Sequence, residues 1–202
     1  MPALSLPAPP FADPVVARAA ALAPLPLTES TGSVFHDVVS CLTEQQIHCR
    51  STKRLFERAL ARAGIERVTP ETFGAFATLG LAGVRLSQPR RDALAAAASF
   101  FASDRTDWHA LPDDDVRQRL AAIPGVGPWT ADMVLLYTLG RPDVFPEGDY
   151  HLRHAMAALY GIDAGPSARA VRERREIADG WRPHRSLAVR TLLAWRTAPP
   201  LL

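Results

Sequence analysis

Cysteine is scarce in this sequence, which contains only Cys41 and Cys49 among its 202 residues. Two thiols are too few for a disulfide framework, a four-cysteine zinc site or an iron–sulfur cluster. So little cysteine is typical of a protein from a reducing compartment. We therefore expect a cytoplasmic location and no iron–sulfur cofactor.

Long apolar segments are also missing. No run approaches the roughly 20 apolar residues that span a bilayer. Prolines interrupt the apolar start of the chain, and no basic region precedes it. The sequence therefore predicts neither a membrane span nor a secretory signal.

Lysine is nearly absent as well, because Lys53 is the single lysine among 23 basic residues and the others are arginine. The planar guanidinium group matches phosphate geometry, but a genomic preference for arginine codons explains the same bias. The net charge of +2 neither requires nor excludes a nucleic-acid partner.

Period-two alternation of polar and apolar residues is absent, whereas apolar residues recur at helical spacing along most of the chain. We predict an all-α fold with a proline-rich arm and short helix at residues 1–32, a helical core at 33–196 and a tail at 197–202. The predicted helices cover about residues 14–23, 35–48, 50–63, 69–79, 89–102, 111–122, 128–139, 149–160, 167–179 and 184–196. Asp13 and Ser167 are predicted helix caps, and Gly64 is the predicted end of the third helix. The spacing in that third helix predicts that it buries Leu55, Ala59 and Leu60.

A glycine-rich turn, Ile123-Pro124-Gly125-Val126-Gly127, separates two predicted helices, so residues 113–139 have the pattern of a helix–hairpin–helix motif. The two glycines suit tight backbone turns, and Pro128 suits the first turn of the following helix. The unpaired amides at such a helix start bind anions, including DNA phosphates. An ordinary turn between helices is the alternative interpretation. The pattern matches neither a Walker loop nor a dinucleotide fingerprint.

Residues 123–153, IPGVGPWTADMVLLYTLGRPDVFPEGDYHLR, resemble the HhH-GPD superfamily of helix–hairpin–helix DNA glycosylases. Within that superfamily they are most similar to the 3-methyladenine DNA glycosylase II branch, which repairs alkylated DNA. Three further segments match the family in order, namely residues 35–47, 81–91 and 181–188 (WRPHRSLA). The resemblance covers residues 33–196 and implies a two-lobed helical glycosylase fold.

The sequence departs from the family pattern in three ways. It is too short for the N-terminal β domain of longer bacterial members, and it has no C-terminal set of four cysteines for a redox cluster. Trp129 occupies the position where bifunctional members carry a catalytic lysine. Because an amine nucleophile is missing there, Schiff-base strand cleavage is not expected. The resemblance thus implies a monofunctional glycosylase that leaves an abasic site.

Asp149 matches the catalytic aspartate of the family. Breaking an N-glycosidic bond builds positive charge on the sugar, and a fixed carboxylate stabilises that charge or activates water. The alternative role is a helix cap, since aspartate is favoured at the start of a helix, and the two roles are compatible. Glu147 does not match a catalytic position, so we interpret it as a turn residue.

The resemblance places Trp129 in the base pocket, where an indole face attracts a cationic or electron-poor alkylated purine. A core tryptophan is the alternative. Tyr150 and Trp195 are further pocket candidates. Two positions that are aromatic in the family carry Met133 and Leu193 here, which predicts a more open or more apolar pocket.

Gln46 matches the position from which the family inserts a side chain into the duplex to fill the space left by an extruded base. A polar residue at a helix end is the alternative. The hairpin residues implied to bind phosphate are Pro124, Gly125, Val126, Gly127 and Thr130, and the carbonyls of Ile123 and Val126 are candidate ligands for a monovalent cation.

His151 and His154 have the spacing of metal ligands on one helix. No third ligand converges on them in the sequence, so no metal is expected. Arg153 and Arg185 suit either phosphate contacts or ion pairs with helix-end carboxylates, and both interpretations stay open.

These observations predict a monomeric glycosylase without an organic or redox cofactor, whose partner is double-stranded DNA containing alkylated bases. Three alternatives are a glycosylase for an oxidised or deaminated base, a non-catalytic DNA-binding module and an unrelated all-α interaction protein. The last alternative predicts no DNA affinity and no log-linear salt dependence.

Overall fold

The computed structural model describes residues 12–23, 31–44 and 49–197, without the side chains of residues 44, 49–54 and 197. Within these residues the chain forms ten α-helices and no strand, which confirms the predicted all-α fold. The helices are α1 Pro14–Leu22, α2 Val34–Glu44, α3 Cys49–Ala63, α4 Phe73–Ala75, α5 Gln88–Ser103, α6 Asp113–Ala121, α7 Pro128–Met133, α8 Tyr150–Tyr160, α9 Ala168–Asp179 and α10 Arg185–Thr197. None of these helices is long and apolar enough to cross a membrane.

Two helices continue directly into π-helical segments, Phe76–Gly80 after α4 and Val134–Thr138 after α7. Such segments are rare in proteins and usually short. In the second segment the Thr138 hydroxyl donates to Asp37 Oδ2 of α2 at 2.6 Å. This hydrogen bond ties the end of the predicted 128–139 helix to α2.

The chain divides into two compact units. Residues 28–141 form one unit, here called the hairpin unit because it contains the glycine-rich turn. Residues 1–27 and 142–202 form the other, here called the aspartate unit because it contains Asp149. The sequence-based bounds of an arm, a core and a tail stay a prediction.

The hairpin unit is built around α2, which packs against α3, α5 and the helix that begins at Pro128. Val38, Val39 and Leu42 on α2 are each at most 1% exposed, as their helical spacing predicts. Burial of each such side chain contributes roughly 1.5–3 kcal/mol. The predicted continuation of α2 through residues 45–48, which include Gln46, lies outside the described residues.

The buried face of α3 differs in part from the prediction. Ala59 is buried as expected, but Leu55 and Leu60 are only half-buried. Phe56 is instead the large side chain that α3 places in the core, and its ring centroid lies 5.4 Å from that of Phe76. The buried face of α3 therefore includes an aromatic residue, Phe56, that helical spacing alone did not identify.

Two predicted helix starts are wrong by a few residues. The helix expected from Thr69 begins at Phe73, because the amide of Thr69 donates to the Thr72 hydroxyl at 2.8 Å and the chain forms a turn. The helix expected from Leu111 begins two residues later. Leu111 precedes Pro112, and proline disfavours a helical conformation at the residue before it. The Leu111 carbonyl also accepts a 2.6 Å hydrogen bond from the Arg141 guanidinium.

In the aspartate unit, α10 packs against both α1 and α8. Asp13 caps α1 as predicted, because its Oδ1 accepts the amide of Val15 at 2.8 Å. Its Oδ2 accepts the Tyr160 hydroxyl at 2.7 Å and the Trp181 indole N–H at 2.9 Å. Burial alone raises the pKa of the Asp13 carboxyl, but these hydrogen bonds outweigh burial and hold the pKa below its ordinary value.

Candidate nucleic-acid interface and catalytic carboxylate

The turn between α6 and α7 is anchored by apolar side chains and exposes its tip. The side chains of Ile123 and Val126 are buried, whereas Pro124 and Gly125 are exposed. The amide of Val126 donates to the carbonyl of Ile123 at 3.0 Å. Gly125 has a φ of +85°, a backbone conformation that residues other than glycine rarely adopt. The predicted tight turn is therefore present at Gly125.

The second glycine of the turn has a different conformation from the one predicted. Gly127 has a φ of −97° and a ψ of 176°, which is extended backbone open to any residue. A Cβ added there would meet nothing within 4 Å. The fold therefore does not require glycine at residue 127. Pro128 occupies the first turn of α7 as predicted.

A salt bridge joins the two helices on either side of the turn. The guanidinium Nε of Arg117 on α6 lies 3.0 Å from Asp132 Oδ1 on α7, and its NH1 lies 3.0 Å from Asp114. The Asp132 side chain is only 15% exposed, so solvent weakens this contact less than it weakens a surface pair. The bridge restrains the two helices while the turn itself stays exposed.

Trp129 and Met133 lie four residues apart on the helix that follows the turn, and both are half-buried. Residues with this spacing share one helix face. Thr130, between them, is fully buried. The whole residue is therefore poorly placed for the predicted phosphate contact.

Asp149 in the aspartate unit is a helix cap with a well-defined carboxylate. Its Oδ1 accepts the amide of Leu152 at 2.7 Å, and its own backbone is extended, as an N-cap requires. The residue is 6% exposed. The cap role that the sequence offered as an alternative is therefore present, and it fixes the direction of the carboxylate.

The segment that leads to Asp149 is fastened to the start of α10. Arg185 donates to both carboxylate oxygens of Asp143, from Nε at 2.7 Å and from NH2 at 2.9 Å. The buried amide of Val144 donates to Ser186 Oγ at 2.9 Å. The amide of Ser186 donates to the carbonyl of Pro142 at 3.0 Å. Part of the WRPHRSLA segment thus holds residues 142–144 in place.

Asp143→Asn is expected to lower the free energy of unfolding at pH 7 by about 1.5–3 kcal/mol, because it weakens the charged hydrogen bonds to Arg185. Burial raises the pKa of the Asp143 carboxyl, but the contacts with Arg185 outweigh burial, so the pKa is lowered from 3.8. A lowered folded-state pKa stabilises the protein above the unfolded-state value, and this gain is lost as the pH falls through the folded-state value.

The difference between wild type and Asp143→Asn should therefore shrink as the pH falls below about 3.8. Urea unfolding of both proteins at pH 7 and at pH 3 measures this difference in the free energy of unfolding. A difference that stays constant between these pH values would contradict the proposed role of the charge.

A family model described as HhH-GPD superfamily base excision DNA repair protein matches residues 39–181, which is more than half of the chain. The chain belongs to the HhH-GPD superfamily. This assignment confirms the resemblance found in the sequence, and the matched region includes both the hairpin and Asp149.

Two relatives illustrate how far the sequence similarity of this HhH-GPD chain extends. The putative DNA-3-methyladenine glycosylase YfjP of Bacillus subtilis is 26% identical over 174 residues, which cover 82% of this chain and 59% of the relative. The probable bifunctional transcriptional activator/DNA repair enzyme AlkA of Mycobacterium tuberculosis is 44% identical over 91 residues, which cover 45% of this chain and 16% of the relative. The chain thus spans less than two thirds of either protein.

A solved structure supports the same fold for this HhH-GPD chain. The 3-methyladenine DNA glycosylase Mag1 of Schizosaccharomyces pombe, in complex with abasic DNA, has a TM-score of 0.77 and 20% sequence identity. The alignment covers 90% of this chain and 91% of Mag1.

Tyr150, His154, Leu193 and Trp195, which the sequence also singled out, lie in the aspartate unit. Tyr150 is 50% exposed, and its ring centroid lies 4.0 Å from that of His154. The Nδ1 of His154 lies 2.7 Å from the carbonyl oxygen of Tyr150. Trp195 and Leu193 on α10 are half-buried. Among the described residues no three His, Cys, Asp or Glu side chains form a metal site.

The two arginines whose roles the sequence left open each have a partner within this HhH-GPD chain. Arg185 pairs with the loop residue Asp143 rather than with a helix-end carboxylate. Arg153 donates to the carbonyl of Ala164 at 2.9 Å. Sequence reasoning also missed the fully buried Arg174 on α9, because α9 has the arginine-rich pattern of a solvent-exposed helix.

Proposed function

We propose that the chain is a monofunctional DNA glycosylase that excises alkylated bases of the 3-methyladenine type from double-stranded DNA. The observation that carries this proposal is the buried, capped carboxylate of Asp149, at the position that matches the family's aspartate. Relatives named as 3-methyladenine glycosylases support the choice of substrate class.

Asp149 supplies the charge that the reaction needs. As the N-glycosidic bond breaks, its electron pair leaves with the base and the sugar carbon becomes positive. Water then adds to this carbon and loses a proton, which leaves an abasic sugar. A carboxylate held by the amide of Leu152 requires little reorganisation when that positive charge develops.

Strand cleavage through a Schiff base is not part of the proposed reaction. Such a step needs an amine nucleophile, and Trp129 stands where the sequence pattern of bifunctional members has lysine. The single lysine of the sequence, Lys53, lies on α3 and not in the hairpin.

The remaining roles follow the family pattern. The exposed turn at Pro124 and Gly125 approaches a DNA phosphate, and Trp129 with Met133 contacts the extruded base. Gln46 fills the space that this base leaves; it lies outside the described residues, so its role rests on the resemblance alone. Tyr150 and Trp195 are secondary base contacts.

We further propose that the protein acts as a cytoplasmic monomer on DNA and needs no redox cofactor. A monovalent cation is the one ion that the hairpin pattern suits. Its candidate ligands are the carbonyls of Ile123 and Val126, and the Ile123 oxygen also accepts the amide of Val126.

The decisive experiment is release of free base from duplex DNA treated with a methylating agent, beside duplexes that each carry one oxidised or deaminated base. Release of methylated purines without strand cleavage supports the proposal. Release of only another lesion would replace the substrate class. Salt-dependent DNA binding without any release would instead identify a non-catalytic DNA-binding module.

A further inference from the structure

Glu147 lies in the turn that leads directly into Asp149. The amide of Asp149 donates to the carbonyl oxygen of Pro146 at 2.9 Å, so residues 146–149 form a closed turn with Glu147 and Gly148 at its centre. Gly148 is exposed, and a Cβ there would meet nothing within 4 Å. Packing at Gly148 therefore does not fix the turn, whereas the Glu147 side chain can do so through its partner on α9.

The carboxylate of Glu147 is held by one arginine of α9. Its Oε2 accepts hydrogen bonds from Nε of Arg175 at 3.1 Å and from NH2 at 2.6 Å. Two N–H groups of one planar guanidinium converge on this single oxygen and thereby fix the position of Oε2. By contrast, Arg169 of the same helix pairs with Glu173 one turn along α9. Arg175 thus reaches across to the turn, whereas the Arg169 pair is local.

The charge of Glu147 also acts on the buried guanidinium of Arg174. Arg174 is 1% exposed, and its NH1 donates to the carbonyls of Asp163 at 2.9 Å and Gly165 at 3.0 Å. Arg153 donates to the carbonyl between them. Burial, and then the charge of Arg153, lower the pKa of the Arg174 guanidinium, whereas Glu147 and Asp163 act in the opposite direction. Arg153 of α8 and Arg174 of α9 thus bind the same loop, and the carboxylate of Glu147 favours the charged form of Arg174 beside Arg153.

We propose that Glu147, held by Arg175, is a positioning residue for the carboxylate of Asp149. The proposal rests on the glycosylase function proposed above, in which Asp149 faces the sugar. The turn that contains Glu147 decides where the cap of α8 begins. An error of about 1 Å in a reacting group lowers a rate by up to about 100-fold.

The ion pair affects position more than global stability. Arg175 has 64% of its side chain exposed, and exposed ion pairs contribute little to folding. Loss of the pair should therefore leave most of the protein unchanged. The local change should appear at the amide of Leu152, whose hydrogen bond to Asp149 reports the orientation of the carboxylate.

The test compares Glu147→Ala, Glu147→Gln, Arg175→Ala and the double alanine variant with wild type. We expect a single-turnover rate of base release about 10-fold lower in Glu147→Ala, a smaller loss in Glu147→Gln, and DNA affinity within about twofold of wild type. Because both residues act through one contact, the double variant should be no slower than Glu147→Ala. Glu173→Ala, which breaks the local pair with Arg169, is the matched control and should keep the wild-type rate.

Amide hydrogen exchange supplies a readout that does not depend on activity. In Glu147→Ala and Glu147→Gln, exchange at Leu152 should rise more than exchange along the rest of α8. Wild-type rate and wild-type Leu152 exchange in Glu147→Ala would overturn the proposal, and so would additive losses in the double variant. An inactive wild type would reject the glycosylase function, while the exchange at Leu152 would still decide whether Glu147 positions Asp149.

Discussion

Asp149→Asn is expected to lower the rate of base release by about 100- to 1,000-fold, which is the usual effect of removing one fixed electrostatic contact from a transition state. The negative charge disappears, while the shape of the side chain stays nearly the same. Asparagine caps helices about as well as aspartate. The hydrogen bond from the Leu152 amide should therefore persist, and the fold and the DNA affinity should change little.

Three measurements on the purified Asp149→Asn variant separate chemistry from structure: single-turnover base release, affinity for a duplex with an abasic analogue, and thermal unfolding. Asp13→Asn is a suitable control, because Asp13 caps α1 through the same kind of contact. It should keep the wild-type rate even if it lowers the unfolding temperature. Equal release by wild type and Asp149→Asn would leave Asp149 with only its cap role.

The features that the sequence predicted well depend on neighbouring residues. Asp13 and Ser167 accept amides two or three residues ahead, as capping side chains do. Gly64 ends α3 with a φ of +66°, a conformation that favours glycine. The all-α architecture follows from such short-range rules together with helical spacing.

The features that the sequence did not reveal depend on contacts between distant residues. Arg185 and Asp143 are 42 residues apart, and Arg175 and Glu147 are 28 residues apart. No spacing rule pairs one arginine of an arginine-rich helix with one carboxylate of a remote turn.

The catalytic assignment has a different basis from the fold. Asp149 stands directly before a predicted helix, where aspartate is a favoured cap. The structure shows that cap. Only the family resemblance turns the same carboxylate into a candidate catalyst. For Trp129 the half-buried position fits a core role and a base contact alike. Local physics thus narrows each of these side chains to two roles, and the family resemblance adds the chemical one.

Gly125→Ala is expected to destabilise the hairpin unit and to weaken DNA binding at the same time. Its φ of +85° costs an alanine about 1–2 kcal/mol. Its new Cβ would also lie 2.4 Å from the Cβ of Ala93 on α5, which is too close for two methyl groups. Such overpacking typically costs about 1–3 kcal/mol, so the expected loss of unfolding free energy is about 2–5 kcal/mol.

Gly127→Ala is the matched variant, because it adds the same methyl group two residues away. The backbone there is extended and the added Cβ meets nothing within 4 Å, so the urea midpoint should stay at the wild-type value. If the turn approaches a phosphate closely, the methyl group enters that space, and DNA affinity should fall by about 10-fold, or roughly 1.4 kcal/mol.

Urea unfolding and salt-dependent duplex binding of both variants test this difference. Loss of stability in Gly125→Ala alone, with weaker binding in both, means that one glycine serves the fold and the other serves the ligand. Unchanged affinity in a stable Gly127→Ala variant would contradict phosphate contact at residue 127. Unchanged stability in Gly125→Ala would mean that α5 and the turn can move apart, so the close contact with Ala93 would not restrain the hairpin.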